Sequence, residues 1–250
     1  MRAAVAQWES AALKTRMLLV RIRPAATFDD MSSTKSDYVK LMLTSAGITN
    51  KSLAKALKGL VKKKMKIAFI PTAMHGSVNK ETGWLIKNYN EFQKLGSVNI
   101  VDIAAVDKRI WLPQLKAANV IVMGGGKTLY LMKVVNKSGL KKELSNLLKT
   151  RVYVGISAGS IIAGKRISGA SEFLFSKNVN RAPLGLGYVN FNVRSHFNSL
   201  ESKFSKMKDK YLKNASKKLR GNLYAIDDNS AIVCVNNKIK VVSEGKWKKY

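Results

Sequence analysis

Residues 152–160, with the sequence VYVGISAGS, decide the fold class of this chain. The first five residues are apolar, which is typical of a strand buried on both faces, and the residues that follow are small. Residues 155–159, GISAG, match the pattern G-x-S-x-G, which places a serine on a sharp turn between a strand and a helix. The stretch therefore predicts a strand–turn–helix unit of an α/β protein, with Ser157 exposed at the turn.

Four further apolar segments precede this strand, and segments with helical periodicity separate them. They predict strands at residues 39–46, 66–73, 98–103 and 120–123. Strands that are apolar throughout and alternate with helices form a parallel sheet covered by helices on both faces. Right-handed crossovers bring the carboxyl ends of these strands to one edge of the sheet. The expected fold is an α/β three-layer sandwich with a mostly parallel central sheet.

The remaining sequence predicts one domain, residues 39–250, and a leader, residues 1–38. The leader is rich in arginine and poor in acidic residues, and it lacks the apolar periodicity that would dock it on a sheet. We expect it to lie outside the domain, either disordered or as an artefact of the gene start. Near the other end, Asn236-Asn237 predicts a tight hairpin turn. The strands expected in that region are residues 223–226, 231–235 and 238–242.

The composition excludes several classes of protein. One cysteine excludes a disulfide scaffold and leaves no cysteine pair for a structural zinc site, and two histidines argue against a His-rich metal site. No apolar run reaches the length of about 18 residues that a membrane span requires, so no membrane association is expected.

The 45 Lys and Arg against 15 Asp and Glu give a formal net charge of +30, which would attract polyanions. Because these charges are spread thinly and do not alternate with aromatic residues, we expect no specific nucleic-acid partner.

Ser157 is the candidate nucleophile, although a glycine-rich turn without chemistry would have the same pattern. A serine nucleophile needs a general base, and only two histidines are available. His196 follows the apolar stretch 188–193, which predicts a strand, and a histidine at a strand end can meet a nucleophile on the same sheet edge. His75 is its rival, but no partner is apparent near it in the sequence. We therefore expect His196 to be the base.

A third group should orient the histidine, and the sequence leaves three carboxylates open. Asp227 and Asp228 follow a predicted strand, and Glu172 lies in a loop after the nucleophile. Asp228 is preferred because rigid elements hold side chains more accurately than loops do. A serine followed by a histidine and then an acid also differs from the order in α/β-hydrolases, which argues against that fold.

The glycine run Gly124-Gly125-Gly126, followed by Lys127, comes directly after a predicted strand. It lacks the first glycine of a phosphate-binding P-loop, because residue 121 is isoleucine. Its backbone amides, together with that of Ala158 at the start of the next helix, could instead face a developing oxyanion. These five residues are the expected oxyanion and substrate contacts.

Six segments in this order resemble the dipeptidase E family of serine peptidases, which are aspartyl dipeptidases related to cyanophycinase. The resemblance covers residues 39–247 and implies a fold of the class-I glutamine-amidotransferase type, which is flavodoxin-like. It also implies peptide-bond hydrolysis with Ser157 as nucleophile and His196 as base, and no metal or cofactor. The chain departs from the family at Lys127, where the family has asparagine. The segments are LTSAG (43–47), IAFIPTA (67–73), VIVMGGGKT (120–128), VGISAGS (154–160), LGLGYVNFNVRSHF (184–197) and AIDDNSA (225–231).

The leading hypothesis is a cytoplasmic serine exopeptidase or dipeptidase, a monomer or homodimer, that hydrolyses short peptides through an acyl-enzyme. An acidic N-terminal residue in the substrate is expected from the resemblance and would suit Lys127. Two alternatives stay open: an amidotransferase-like binding protein without catalysis, and a basic nucleic-acid-binding protein.

Overall fold

The structure, a computed structural model, describes residues 39–77, 82–201 and 204–250. The predicted leader, residues 1–38, lies outside the described residues. The first half of the domain alternates strands with helices, and a 3₁₀ helix, Thr72–Gly76, follows the second strand. These elements are β1 (Lys40–Thr44), α1 (Lys51–Leu60), β2 (Met65–Ile70), α2 (Gly83–Gln93), β3 (Gly96–Ile100), α3 (Lys108–Ala117), β4 (Val120–Met123), α4 (Thr128–Lys137), α5 (Leu140–Leu147) and β5 (Val152–Ile156).

The second half of the domain contains shorter elements. A second 3₁₀ helix, Val179–Arg181, lies in the long segment between the turn at Ser157 and the next strand. The other elements are α6 (Ala158–Ile161), α7 (Ser171–Leu174), β6 (Asn192–Arg194), α8 (Asp209–Ser216), β7 (Leu223–Ile226), β8 (Ser230–Val235), β9 (Lys238–Ser243) and β10 (Trp247–Lys249).

The main sheet has seven strands in the order β3-β2-β4-β5-β1-β8-β9. The first five strands of the chain pair in parallel, which confirms the predicted α/β sandwich with a mostly parallel central sheet. The antiparallel hairpin β8–β9 extends the sheet beyond β1. At its turn, Asn236 and Asn237 both have positive φ angles, 50° and 64°, as a tight type I′ hairpin turn requires.

Helices cover both faces of the sheet because the parallel strands are apolar on both sides. In α1, the Asn50 side chain caps the helix by accepting a hydrogen bond from the Leu53 amide at 2.9 Å. Leu53 and Leu57 lie on one face of this helix and are fully buried, and each contributes about 1.5–3 kcal/mol of hydrophobic stabilisation. No helix within the described ranges is long and apolar enough to cross a bilayer.

The expectation of a strand over residues 188–193 on the main sheet is wrong. Only β6 forms there, and it belongs to a separate three-stranded sheet in the order β10-β7-β6. The residues before β6 do not pair with a strand of the main sheet. The Tyr188 and Val189 amides both donate instead to the carbonyl oxygen of Ala163, at 2.8 Å and 3.2 Å. The apolar side chains of the stretch still pack in the core, which is why the sequence resembles a strand.

Candidate active site

Ser157 occupies the sharp turn between β5 and α6. Its φ and ψ angles are 48° and −104°, a backbone conformation that costs free energy for any residue other than glycine. The carbonyl oxygen of Thr44, at the end of β1, holds this turn by accepting two hydrogen bonds. They come from the Ser157 amide at 3.0 Å and from the Ser160 hydroxyl at 2.7 Å. The neighbouring strand therefore fixes the strained turn, with the Ser157 side chain half-buried at the carboxyl edge of the sheet.

The two glycines of the G-x-S-x-G pattern let helix α6 approach the sheet closely. A Cβ atom on Gly155 would lie 2.6 Å from the Ser160 nitrogen, and one on Gly159 would lie 2.0 Å from the Met123 carbonyl oxygen. Neither distance is tolerated between non-bonded atoms, and the atoms approached belong to the backbone. The glycines are thus required for packing, whatever the chemistry of the serine.

Gly159→Ala is expected to destabilise the protein by about 3 kcal/mol or more, because backbone must move to admit the methyl group. Gly59→Ala is the matched control: a Cβ atom there meets nothing within 4 Å, and the position lies inside α1. Alanine should raise stability at position 59 by roughly 0.5–1 kcal/mol. Thermal and urea unfolding of the two variants measures both effects, and equal stabilities would contradict the packing argument.

A chain of hydrogen bonds joins Ser157, His196 and Asp228. The Ser157 Oγ atom lies 3.1 Å from Nε2 of His196, and Nδ1 of the same ring lies 2.8 Å from Oδ1 of Asp228. Because an ionised carboxylate can only accept, Nδ1 carries the proton on that side, which leaves the Nε2 lone pair facing the serine hydroxyl. This arrangement allows the imidazole to remove the serine proton.

The His196 ring is held on several sides. Only 14% of the side chain is exposed, and the ring stacks on Phe204 with a centroid distance of 3.9 Å and an interplanar angle of 12°. The residue itself has a positive φ of 62°, and the amide of the next residue, Phe197, donates to the Ile226 carbonyl oxygen at 3.1 Å. The end of β7 therefore positions both the histidine and, two residues later, Asp228.

The Asp228 carboxyl is arranged to stay ionised. Burial raises its pKa, but the hydrogen bond and charge of His196, the hydroxyl of Ser45 and the charge of Lys87 outweigh this effect. The net result is a pKa below the usual value for an aspartate. The backbone is fixed as well, since the Thr49 hydroxyl donates to the Asp228 carbonyl oxygen at 2.7 Å.

The other two carboxylates that the sequence left open have different partners. Asp227 accepts hydrogen bonds from the Asn229 amide at 3.1 Å and the Ser230 hydroxyl at 2.5 Å, so it stabilises the turn between β7 and β8. Glu172 is exposed in α7, and its charge acts on the buried guanidinium of Arg194. Among the hydrogen bonds of the described residues, neither carboxylate contacts His196.

The glycine run contributes unequally to this site. The Gly124 amide donates to the Ile70 carbonyl oxygen at 2.9 Å, and the Lys127 amide donates to that of Ala73 at 3.1 Å, so both are used within the fold. Gly125 lies against Ser157: a Cβ atom at position 125 would be 3.5 Å from the Ser157 Cβ. The Gly125, Gly126 and Ala158 amides have no backbone acceptor in the described part of the chain.

One family model matches most of this chain, and the length of that match shows which family the chain belongs to. The model of peptidase family S51 matches residues 41–242, a range that includes Ser157, His196 and Asp228. The chain belongs to peptidase family S51. Family membership makes it a serine-type peptidase. This result confirms the resemblance identified from the six sequence segments, since dipeptidase E and cyanophycinase belong to the same group.

Individual relatives of this S51 protein are distant in sequence and close in fold. An uncharacterized peptidase of Listeria innocua is 23% identical over 177 residues, which cover 69% of this chain and 82% of the relative. The structure of a candidate peptidase E protein from Listeria monocytogenes EGD-e superimposes with a TM-score of 0.67 at 21% identity, covering 83% of this chain and 100% of that one. A peptidase from an acI-B1 Actinobacterium gives 0.63 at 20% identity, with coverages of 86% and 98%. Both structures share the α/β fold.

Two features of the S51 domain escaped the sequence analysis. His75, for which no partner was apparent, pairs through Nε2 with Oδ2 of Asp102, and Asp102 also accepts from the Thr72 hydroxyl at 2.7 Å. Ser45 contacts both Asp228 and His196. Asp102 follows β3 and Ser45 follows β1, but the predicted strands 98–103 and 39–46 extended past the real strand ends and included both residues. A search for polar residues near the carboxyl end of each predicted strand would have found both.

Proposed function

We propose that this S51 peptidase is a serine exopeptidase that releases residues from dipeptides and other short peptides. In this proposal Ser157 is the nucleophile, His196 the general base and Asp228 the group that orients the histidine. The single observation that carries the proposal is the chain of hydrogen bonds from Ser157 through His196 to Asp228, with distances of 3.1 Å and 2.8 Å.

The proposed reaction has two halves. His196 Nε2 takes the proton from the Ser157 hydroxyl as Oγ attacks the peptide carbonyl carbon, and the resulting imidazolium is stabilised by Asp228. When the tetrahedral intermediate breaks down, the imidazolium returns its proton to the leaving amine, and an ester on Ser157 remains. A water molecule, deprotonated by the same nitrogen, then attacks that ester. As the ester bond breaks, the imidazolium returns the proton to Ser157 Oγ, which releases the carboxylic acid and restores the serine.

The negative charge on the tetrahedral intermediate needs donors near Ser157. The amides of Gly125 and Ala158 suit this role, because one residue packs against the serine side chain and the other begins helix α6. Neither amide donates to another backbone group of the described residues, so both can donate to the substrate. The Gly124 and Lys127 amides, in contrast, already donate to backbone carbonyl oxygens. We propose Gly125 and Ala158 as the oxyanion donors, with Gly126 beside them at the substrate.

Short substrates are proposed because the proposed nucleophile, Ser157, is partly covered by the protein at the carboxyl edge of the sheet. Ser157 is half-buried and the His196 side chain is 14% exposed, so a peptide must enter the site to reach the serine. An extended chain end can do so, whereas a segment within a folded protein is held away by the surrounding surface.

The preference for an acidic N-terminal residue is proposed to involve Lys127. This lysine is exposed and directly follows Gly125 and Gly126, which are proposed to contact the substrate. Lys127→Ala is expected to raise KM for an Asp-containing dipeptide about 10-fold and to leave KM for an Ala-Ala dipeptide unchanged, since only the former loses an ion pair. Lys133→Ala, which removes an equal charge from an exposed position in α4, the helix that Lys127 precedes, is the control. Equal effects on both dipeptides would contradict the assignment.

The proposed function is tested with the purified wild-type chain in two assays. A fluorophosphonate probe should label it stoichiometrically, because the probe reacts with a serine activated by a base. A panel of dipeptides, tripeptides and one unfolded protein, followed by detection of released amines, should show cleavage of the short peptides only. Absence of both labelling and cleavage would reject the peptidase mechanism and leave a binding role for the site.

A further inference from the structure

Ser45 is buried beside the proposed catalytic groups, and no step of the mechanism above uses it. It follows β1 directly and is fully buried. Its Oγ atom lies 2.5 Å from Oδ1 of Asp228 and 2.8 Å from the backbone nitrogen of His196. One hydroxyl therefore contacts both residues that would activate Ser157.

The direction of each hydrogen bond at Ser45 follows from the groups involved. The backbone N–H of His196 can only donate, so the Ser45 oxygen accepts there. The hydroxyl proton is consequently directed at Asp228, whose ionised carboxylate can only accept. Oδ1 of Asp228 then accepts two hydrogen bonds, one from Ser45 and one from Nδ1 of His196. Rotation of the carboxylate away from the imidazole would break both.

The second contact acts on the histidine backbone. His196 has a positive φ of 62°, in a region that residues with side chains rarely adopt. The hydrogen bond from its N–H to Ser45 helps to hold this conformation, which aims the imidazole between Ser157 and Asp228. Ser45 thus restrains the imidazole in two ways: it holds the main chain of His196, and it holds the Asp228 carboxylate that the imidazole contacts.

We propose that Ser45 is a positioning residue for the reaction: its hydroxyl orients the Asp228 carboxylate and fixes the His196 backbone. This inference rests on the proposed function, because it assigns Ser45 a role in the activation of Ser157. Ser45 touches no reacting atom and acts through the two residues that it contacts.

The first test compares Ser45→Ala with Ser230→Ala in the rate of fluorophosphonate labelling. Ser230 is an apt control because it is fully buried and its hydroxyl also lies 2.5 Å from an aspartate oxygen, that of Asp227. Ser45→Ala should label about 10- to 100-fold more slowly, as expected for the loss of a hydrogen bond to a charged group. Ser230→Ala should label within about twofold of wild type.

The pH profile separates positioning from a loss of folded protein. Among the described residues, the charged groups that act on Asp228 are His196 and Lys87 of α2, and the substitution changes neither. The Ser45 hydrogen bond is one of the contacts that lower the pKa of Asp228, so its loss should raise that pKa, and the carboxylate is then neutralised at higher pH. Because the ionised carboxylate orients His196, the acidic limb of the labelling profile should therefore move to higher pH. A smaller folded fraction would lower the rate equally at every pH.

A double-mutant cycle with Asp228→Ala completes the test. If Ser45 acts through Asp228, its substitution should cost much less in the Asp228→Ala background than in the wild type. If Ser45→Ala does not fold, Ser45→Cys replaces it, with a smaller loss expected because the thiol is a weaker donor. A variant that labels at the wild-type rate with an unchanged acidic limb, or a fully additive cycle, would overturn the inference alone. A wild-type chain that never labels would overturn the proposed function and this role with it.

Discussion

Ser157→Ala is expected to lower peptidase turnover by about a millionfold and to abolish fluorophosphonate labelling, while leaving the fold intact. Loss of a nucleophile that works with a general base has an effect of this order, because no other group can form the acyl-enzyme. Alanine also fits the site, since the strained turn is held by the backbone amide at position 157. Among the described residues, the Ser157 side chain makes its one hydrogen bond to His196. Initial rates on one cleaved dipeptide and circular dichroism measure the two parts of the prediction.

Ser168→Ala is the matched control for that variant. Ser168 is also buried, but its hydroxyl donates to the Val179 carbonyl oxygen at 3.0 Å, away from His196. It should keep both activities, with at most a modest loss of stability for the broken hydrogen bond. A Ser157→Ala protein with a tenth of the wild-type rate would remove Ser157 from the mechanism.

Asp228→Asn is expected to lower kcat by roughly 10⁴-fold, the second largest effect. The amide presents an NH₂ group where the carboxylate accepts from Nδ1, so the imidazole adopts the tautomer with the proton on Nε2, which cannot take the serine proton. KM should change little, because Asp228 is separated from the nucleophile by the imidazole of His196. A full kinetic profile on the same dipeptide provides both constants.

Asp227→Asn and Glu172→Gln make the prediction specific. Both should keep kcat near the wild-type value, since neither carboxylate contacts His196 among the described hydrogen bonds. Asp227→Asn should still lower thermal stability, because Asp227 accepts from Asn229 and Ser230 in the turn before β8. A larger loss of kcat for Glu172→Gln than for Asp228→Asn would assign the role of the acid to Glu172 instead.

The sequence was sufficient for the fold class because the signals that define it are local. Strand β5, the small residues after it and the four preceding apolar segments each follow from short-range periodicity, and a parallel sheet is the arrangement that buries them all. The signal for the hairpin turn at Asn236-Asn237 was equally local, since the turn requires positive φ angles at two adjacent positions and asparagine adopts them readily. Family S51 membership could likewise be inferred from the order of the six motifs.

The candidate site could be predicted only in part. Ser157, His196 and Asp228 were identifiable because each follows a strand or an apolar segment, and the structure brings them within hydrogen-bond distance, while their catalytic roles stay predictions. The choice among Asp228, Asp227 and Glu172 was open in the sequence. It depends on which carboxylate points toward the imidazole, and that direction is set by the turn after β7 and its contacts with distant residues.

By itself, the sequence determined the parallel sheet, the strand–turn–helix unit at Ser157 and the short set of residues that could carry chemistry. Only the tertiary structure decided that β6 leaves the main sheet for a second one, that Gly124 and Lys127 use their amides within the fold, and that Ser45 reaches Asp228. The reason is physical: side-chain periodicity is a property of neighbouring residues. Hydrogen bonds between positions 45 and 228 depend instead on how the strands pair, which no local pattern encodes.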